Sequence, residues 1–235
     1  MTVAFVGGAT GYTGRALVAA LRTAGINTVA HVRPDSPRVV AWQERFEALG
    51  AAVDMTPWTC PAMTETLRRL QADLVFSLLG TTRGRARAAR VAGGPDAGYE
   101  AVDYRLTATL YAACVGVTPP PRFIYLSSLG AREDTRNAYL RVRGRVEHIL
   151  REGGLPFTIV RPSFITGSDR AEARPGERIA ATLLDGVLAL AGAVGLSRLR
   201  DRHRSITGAE LAAGLVRVAR DPTLAGCVVS AEQLR

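Results

Sequence analysis

A chain of 235 residues with 47% hydrophobic and 22% charged residues carries enough apolar material for one sizeable core, which excludes a disordered segment and fits one α/β domain with a small appendage. Its formal charge of +9 comes from arginine alone, since the sequence contains no lysine, and so uniform a preference belongs to the whole composition rather than to a nucleic-acid interface. The cysteines Cys60, Cys114 and Cys227 are dispersed, without C-x-x-C spacing or a nearby histidine pair, which excludes a disulfide framework and a zinc site and fits a reducing cytoplasm.

In chain order, "TVAFVGG" is a β-rich apolar run ending in glycines, with no basic leader before it, so no signal peptide is expected. Residues 12 to 24 place apolar side chains at helical spacing. A strand at 27–32 and a helix at 36–50 repeat the unit. The alternation continues with a strand at 51–55, a helix at 60–71, a strand at 72–80, a helix over 98–116 and a strand at 122–128. A helix at 137–154 and a strand at 157–162 complete it. Nearly continuous apolar strands separated by helices predict a doubly wound parallel sheet, the Rossmann fold, over residues 1 to 165.

Beyond residue 165 the rhythm breaks into the polar loop "TGSDRAEARPGER", an apolar run at 182–196 and a helix at 205–221. Residues 166 to 235 are therefore expected to form a small C-terminal cap integrated with the sheet, one domain overall. The 182–196 run contains Asp185 and is too short for a bilayer span, so no membrane association is expected. It is read as a buried helix or as a contact in a homodimer. The arginine runs at 83–90 and 198–204 read as solvated faces.

The stretch "GGATGYTG" holds Gly8, Gly11 and Gly14 at G-x-x-G-x-x-G spacing between the first strand and the first helix. Glycine lets the backbone approach a pyrophosphate, whose charge meets the free N–H groups of the helix start. Gly8, Thr10, Gly11, Tyr12, Thr13 and Gly14 are therefore candidate dinucleotide contacts. At the end of the second strand, where an acidic residue would hold a ribose hydroxyl, the chain carries Arg33, followed by Asp35. A guanidinium offers donors to a 2′-phosphate and no acceptor to a hydroxyl, which favours NADP(H) over NAD(H).

With "YLSSLG" ending the fifth strand, a tyrosine in the next helix and "VRPS" ending the sixth, the chain resembles the short-chain dehydrogenase/reductase superfamily. "LGTTRG", "YLRVRGRVE" and "RPGE" look like its atypical branch typified by the Tat-interacting protein, an oxidoreductase-like NADPH binder. The resemblance implies a proton-transferring Tyr139, a Ser128 (or its neighbour Ser127) that positions the substrate oxygen, and a cation four residues after the tyrosine, here Arg143 where the superfamily has lysine. It further implies cofactor contacts at Leu79, Gly80, Thr81, Ser127, Tyr139 and Arg143, with Pro162 and Phe164 facing the carboxamide. The substrate would be a small-molecule carbonyl or alcohol.

Three accounts of Arg143 stay open. It substitutes for lysine, it marks a cofactor-binding sensor or regulatory protein with little turnover, or Tyr139 and Arg143 are surface residues. A cation about 4 Å from a phenolate at an effective dielectric of about 20 is worth roughly 4 kcal/mol, about three pKa units, enough to bring tyrosine from about 10 towards 7. Proton relay through arginine is excluded, because it does not deprotonate at working pH. Arg174 to Glu177 either line the substrate entrance or cap the next helix. His203 is a candidate substrate contact, and His31 and His148 read as structural or solvated.

Overall fold

Strands covered on both faces need apolar residues at every position, and the computed structural model, which describes residues 1–94, 96–166 and 205–234, shows both faces covered. The strands are β1 (Val3–Gly7), β2 (Asn27–His31), β3 (Ala52–Asp54), β4 (Leu74–Ser77), β5 (Arg122–Leu126), β6 (Phe157–Arg161), β7 (Ile165–Thr166), β8 (Ile206–Thr207) and β9 (Cys227–Ser230). The described helices are α1 (Tyr12–Thr23), α2 (Val39–Glu47), α3 (Cys60–Leu70), α4 (Arg83–Val91), α5 (Leu106–Val115), α6 (Ala138–Glu152) and α7 (Gly208–Arg220).

Seven strands form one parallel sheet in the order β3-β2-β1-β4-β5-β6-β9, and β7 pairs with β8 apart from it. Alternation along each strand divides the core. Ala4, Val6, Phe76, Ile124 and Val160 meet Leu17 and Leu21 of α1 and Leu211 and Leu215 of α7 on one face. Phe5, Val75, Phe123, Tyr125 and Ile159 meet Met63, Leu67, Leu110 and Leu150 of α3, α5 and α6 on the other. Each such side chain contributes about 1.5–3 kcal/mol by leaving water. The chain reverses direction across the sheet between β1 and β4, and a crevice outside the carboxyl ends of these strands is where such folds take ligands.

The predicted doubly wound sheet is present, with three local differences. The single helix read at 98–116 is a π-helical turn at Glu100–Arg105 followed by α5. Its wider winding accompanies an inward Asp103 with no exposed surface. The arginine run after β4 forms α4, whose N-cap Thr82 accepts the Arg85 N–H at 3.1 Å. Near the C-terminus, β9 adds a seventh strand that composition did not announce, because its four residues follow Gly226 and are only partly buried. The 182–196 run, residues 174–177 and His203 lie outside the described residues.

His31 is buried, with Nε2 2.9 Å from the Thr56 carbonyl and its ring against Trp58, and burial lowers its pKa. His148 is exposed and 3.5 Å from Glu133. No helix among the described residues is long and apolar enough to cross a membrane, and no metal-ligating cluster occurs among them.

Candidate active site

The glycine loop leaves β1 at Gly8, whose φ of +85° is open to glycine and strained for other residues. A Cβ there would sit 2.8 Å from the Leu78 carbonyl at the end of β4. Gly14 packs so closely under the loop that a Cβ would collide with the Gly8 carbonyl oxygen. Gly11 is the N-cap of α1 and offers no side-chain cap, so the first-turn N–H groups have no capping oxygen from that residue. The uncapped N–H groups at this helix start suit an anion of pyrophosphate type by charge. Thr10 is half-buried and Thr13 is buried.

Tyr12 turns outward from the cradle. Its hydroxyl donates to the Thr166 carbonyl at 3.2 Å and accepts the Gly208 N–H at 3.3 Å, so it bolts the loop to β7 and to the start of α7. Arg33, just past β2, is 61% exposed and only 3.5 Å from Asp35, a loose surface contact that leaves the guanidinium accessible.

At the ends of β4, β5 and α6 the predicted tyrosine and cation come together. The Arg143 guanidinium carbon lies 5.2 Å from the centre of the Tyr139 ring, and Tyr139 is half-buried. The N-cap Asn137 sets the tyrosine's place in the first turn by accepting the Tyr139 N–H at 3.0 Å. Arg143 is buried, which excludes the surface account for it. Its guanidinium donates to the Leu79 carbonyl at 3.0 Å, the Leu126 carbonyl at 2.6 Å and the Tyr125 hydroxyl at 3.2 Å.

Sequence reasoning missed the partner of that cation. Arg143 forms an ion pair with Asp103 at 2.7 Å, both side chains being almost wholly removed from water. The second oxygen of Asp103 accepts the Thr81 N–H at 3.0 Å. Burial raises the Asp103 pKa and Arg143 opposes the rise. Both oxygens accept N–H donors, the pattern of a carboxylate. Gly80 lies against the pair, because a Cβ there would come 2.7 Å from an Arg143 nitrogen. The Leu79–Thr81 loop is thus held from beneath through its backbone.

The two serines diverge, as neighbours along a strand end must. Ser127 is buried and donates to Glu147 at 2.6 Å, and Glu147 also accepts from Arg161 at 2.9 Å and Arg151 at 2.8 Å. That network fastens β5 to α6 and β6 and leaves Ser127 facing inward. Ser128 is half-buried, and its hydroxyl makes only a 3.5 Å contact with the Leu129 carbonyl. Pro162 is buried, its carbonyl accepting the Leu129 N–H at 3.0 Å, while Phe164 is 56% exposed. Tyr99, also unpredicted, places its ring 5.4 Å from that of Tyr139.

Contacts therefore run from Gly8 to Leu78, from Leu79 to Arg143 and from Arg143 to Tyr139, along one edge of the sheet. Protein fmp52, mitochondrial, from Aspergillus niger is 28% identical over 157 residues, which are 66% of this chain and 61% of that protein, so the chain spans less than two thirds of the length of this curated relative. Among solved structures, a short-chain dehydrogenase/reductase from Serratia marcescens has a TM-score of 0.63 at 16% identity, covering 97% of this chain and 95% of that one. The UDP-N-acetylglucosamine 4-epimerase from Bacillus cereus has a TM-score of 0.63 at 15% identity, covering 98% and 79%. These likenesses establish a shared Rossmann-type fold. Residues 8–183, which begin at the first glycine of the cradle and run past Tyr139 and Arg143, match the family described as NAD(P)H-binding, and the chain belongs to that family.

Proposed function

We propose that the protein is an NADP(H)-dependent oxidoreductase of the short-chain dehydrogenase/reductase type that interconverts a small-molecule carbonyl and its alcohol. The observation that carries this reading is the half-buried Tyr139 beside Arg143, at the same sheet edge as the glycine cradle. When bound, the nicotinamide supplies or accepts the hydride. In reduction the Tyr139 hydroxyl gives its proton to the substrate oxygen as the carbonyl carbon gains hydride, and in oxidation the tyrosinate removes that proton. Ser128 orients the substrate oxygen, Leu79 to Thr81 flank the nicotinamide side, and Pro162 and Phe164 border the carboxamide.

Arg33 is assigned to the 2′-phosphate. Charge-assisted hydrogen bonds of this type are worth about 1.5–3 kcal/mol. Arg33→Ala is expected to weaken NADPH binding by about tenfold or more and to leave NADH binding unchanged, read by fluorescence titration of both cofactors. Equal affinity of the wild type for both overturns the assignment. Gly14→Ala tests the cradle. Overpacking against backbone costs about 1–3 kcal/mol, and where the loop shifts to relieve it, affinity for either cofactor is expected to fall by about five- to 150-fold in the same titration.

The Arg143–Asp103 pair favours a second reading, a cofactor-binding sensor or regulatory partner with weak turnover, since the cation is matched within the protein. Oxidation of NADPH in the presence of a carbonyl panel separates the two readings. Substrate-dependent turnover supports the oxidoreductase, and cofactor binding without it supports the sensor.

A further inference from the structure

We propose that Asp103 is a positioning residue for Tyr139, seating the Arg143 guanidinium against the tyrosine ring and neutralising the charge it would otherwise present to the phenol. The inference rests on reading Tyr139 as the proton donor. Its geometry does not depend on that reading.

An arginine placed alone beside a tyrosine stabilises the phenolate and makes the hydroxyl a stronger acid. Here the cation is not alone. Asp103 approaches it at 2.7 Å with no exposed surface, close enough that the pair acts on a third group as a dipole rather than as a charge. The π-helical turn makes this approach possible, because it carries Asp103 into the interior beneath the Leu79–Thr81 loop while Tyr99 of the same segment reaches the Tyr139 ring. Carbonyls of Leu79 and Leu126 fix the guanidinium from two strand ends, so its place beside the tyrosine does not depend on solvent.

Charges on the neighbouring elements do not replace the one Asp103 removes. From α6 itself, Arg143 is the group packed against Tyr139, and the next cation, Arg145, is paired with Glu100 at 2.7 Å. Arg136 and Arg141, near the helix start, are exposed to water, which screens them. The π-helical segment contributes Tyr99 and Asp103, and β5 contributes Tyr125, whose hydroxyl burial holds in its neutral form. Arg143 has one feature left over, a buried Nε without a hydrogen-bond partner. The pair is therefore well matched in charge while one donor of the guanidinium remains unpaired.

The consequence is that Asp103 opposes the pull of Arg143 on the Tyr139 phenol, so that removing its charge makes the phenol a stronger acid than in the wild type. The test is NMR titration of the protein labelled with tyrosine carrying ¹³C at Cζ, with Tyr139→Phe identifying the resonance. The quantity read is the change in the Tyr139 midpoint from the wild type to each variant. Asp103→Asn keeps the shape and an acceptor oxygen and removes the negative charge, so the midpoint should fall by roughly one to two pH units. Restoring charge balance with Asp103→Asn/Arg143→Gln should raise it again, a return that a purely structural role of Asp103 does not produce. An unchanged or raised midpoint in folded Asp103→Asn overturns the proposal. Full activity in Tyr139→Phe would sink the proton-donor reading while leaving the titration result standing, so the two failures are distinguishable.

Discussion

Tyr139→Phe is expected to lower turnover of a carbonyl substrate by about 10²- to 10⁴-fold while NADPH affinity stays close to that of the wild type. The substitution removes one oxygen and preserves the ring that packs on Tyr99 and faces Arg143, so the cofactor cradle at the other end of the site loses nothing. What is lost is the proton that must reach the substrate oxygen as hydride reaches carbon, roughly 3–5 kcal/mol of transition-state stabilisation. Steady-state kinetics and a binding titration on the same preparation give both quantities. Wild-type turnover in the variant would assign the proton to another group.

Asp103→Ala is expected to destabilise the fold by about 3–5 kcal/mol, read as a lower midpoint in chemical or thermal denaturation. The buried Arg143 would keep its carbonyl acceptors and lose its counterion, and the Thr81 N–H would lose its acceptor. Removing one member of a buried pair costs far more than the net worth of the pair, because the remaining charge stays in a poorly solvated place. A loss below about 1 kcal/mol would mean that the Leu79 and Leu126 carbonyls alone suffice to hold the cation.

The order of the strands through β6 could be read from the sequence because each is a short, mostly apolar run, whereas α4 and the π-helical turn were not read because an arginine-rich run and a local change of winding leave no apolar period. The glycine cradle was legible for a similar reason: its residues are local, and their spacing carries the geometry. Asp103 was not, because its partner is 40 positions away and nothing between them marks the pairing. The stretch "EAVDYRL" carries two carboxylates, Glu100 and Asp103, and only the π-helical turn decides that Asp103 is the buried one. "YLSSLG" shows the limit of motif reading in another way. Strand alternation requires one serine to face the interior, and which of the two does so depends on Glu147, a residue on the following helix. The strand β9 was missed because four partly buried residues carry too short a pattern.

The small β7–β8 ladder pairs Ile165 with Ile206 and Thr166 with Thr207, and Tyr12 joins both margins through Thr166 and Gly208. Tyr12 thereby ties both strands of the ladder to the glycine loop. A change at Tyr12 is therefore felt in two places at once, at the start of α1 and at the entry to α7, so the seat of the glycine loop and the register of the small ladder stand or fall together.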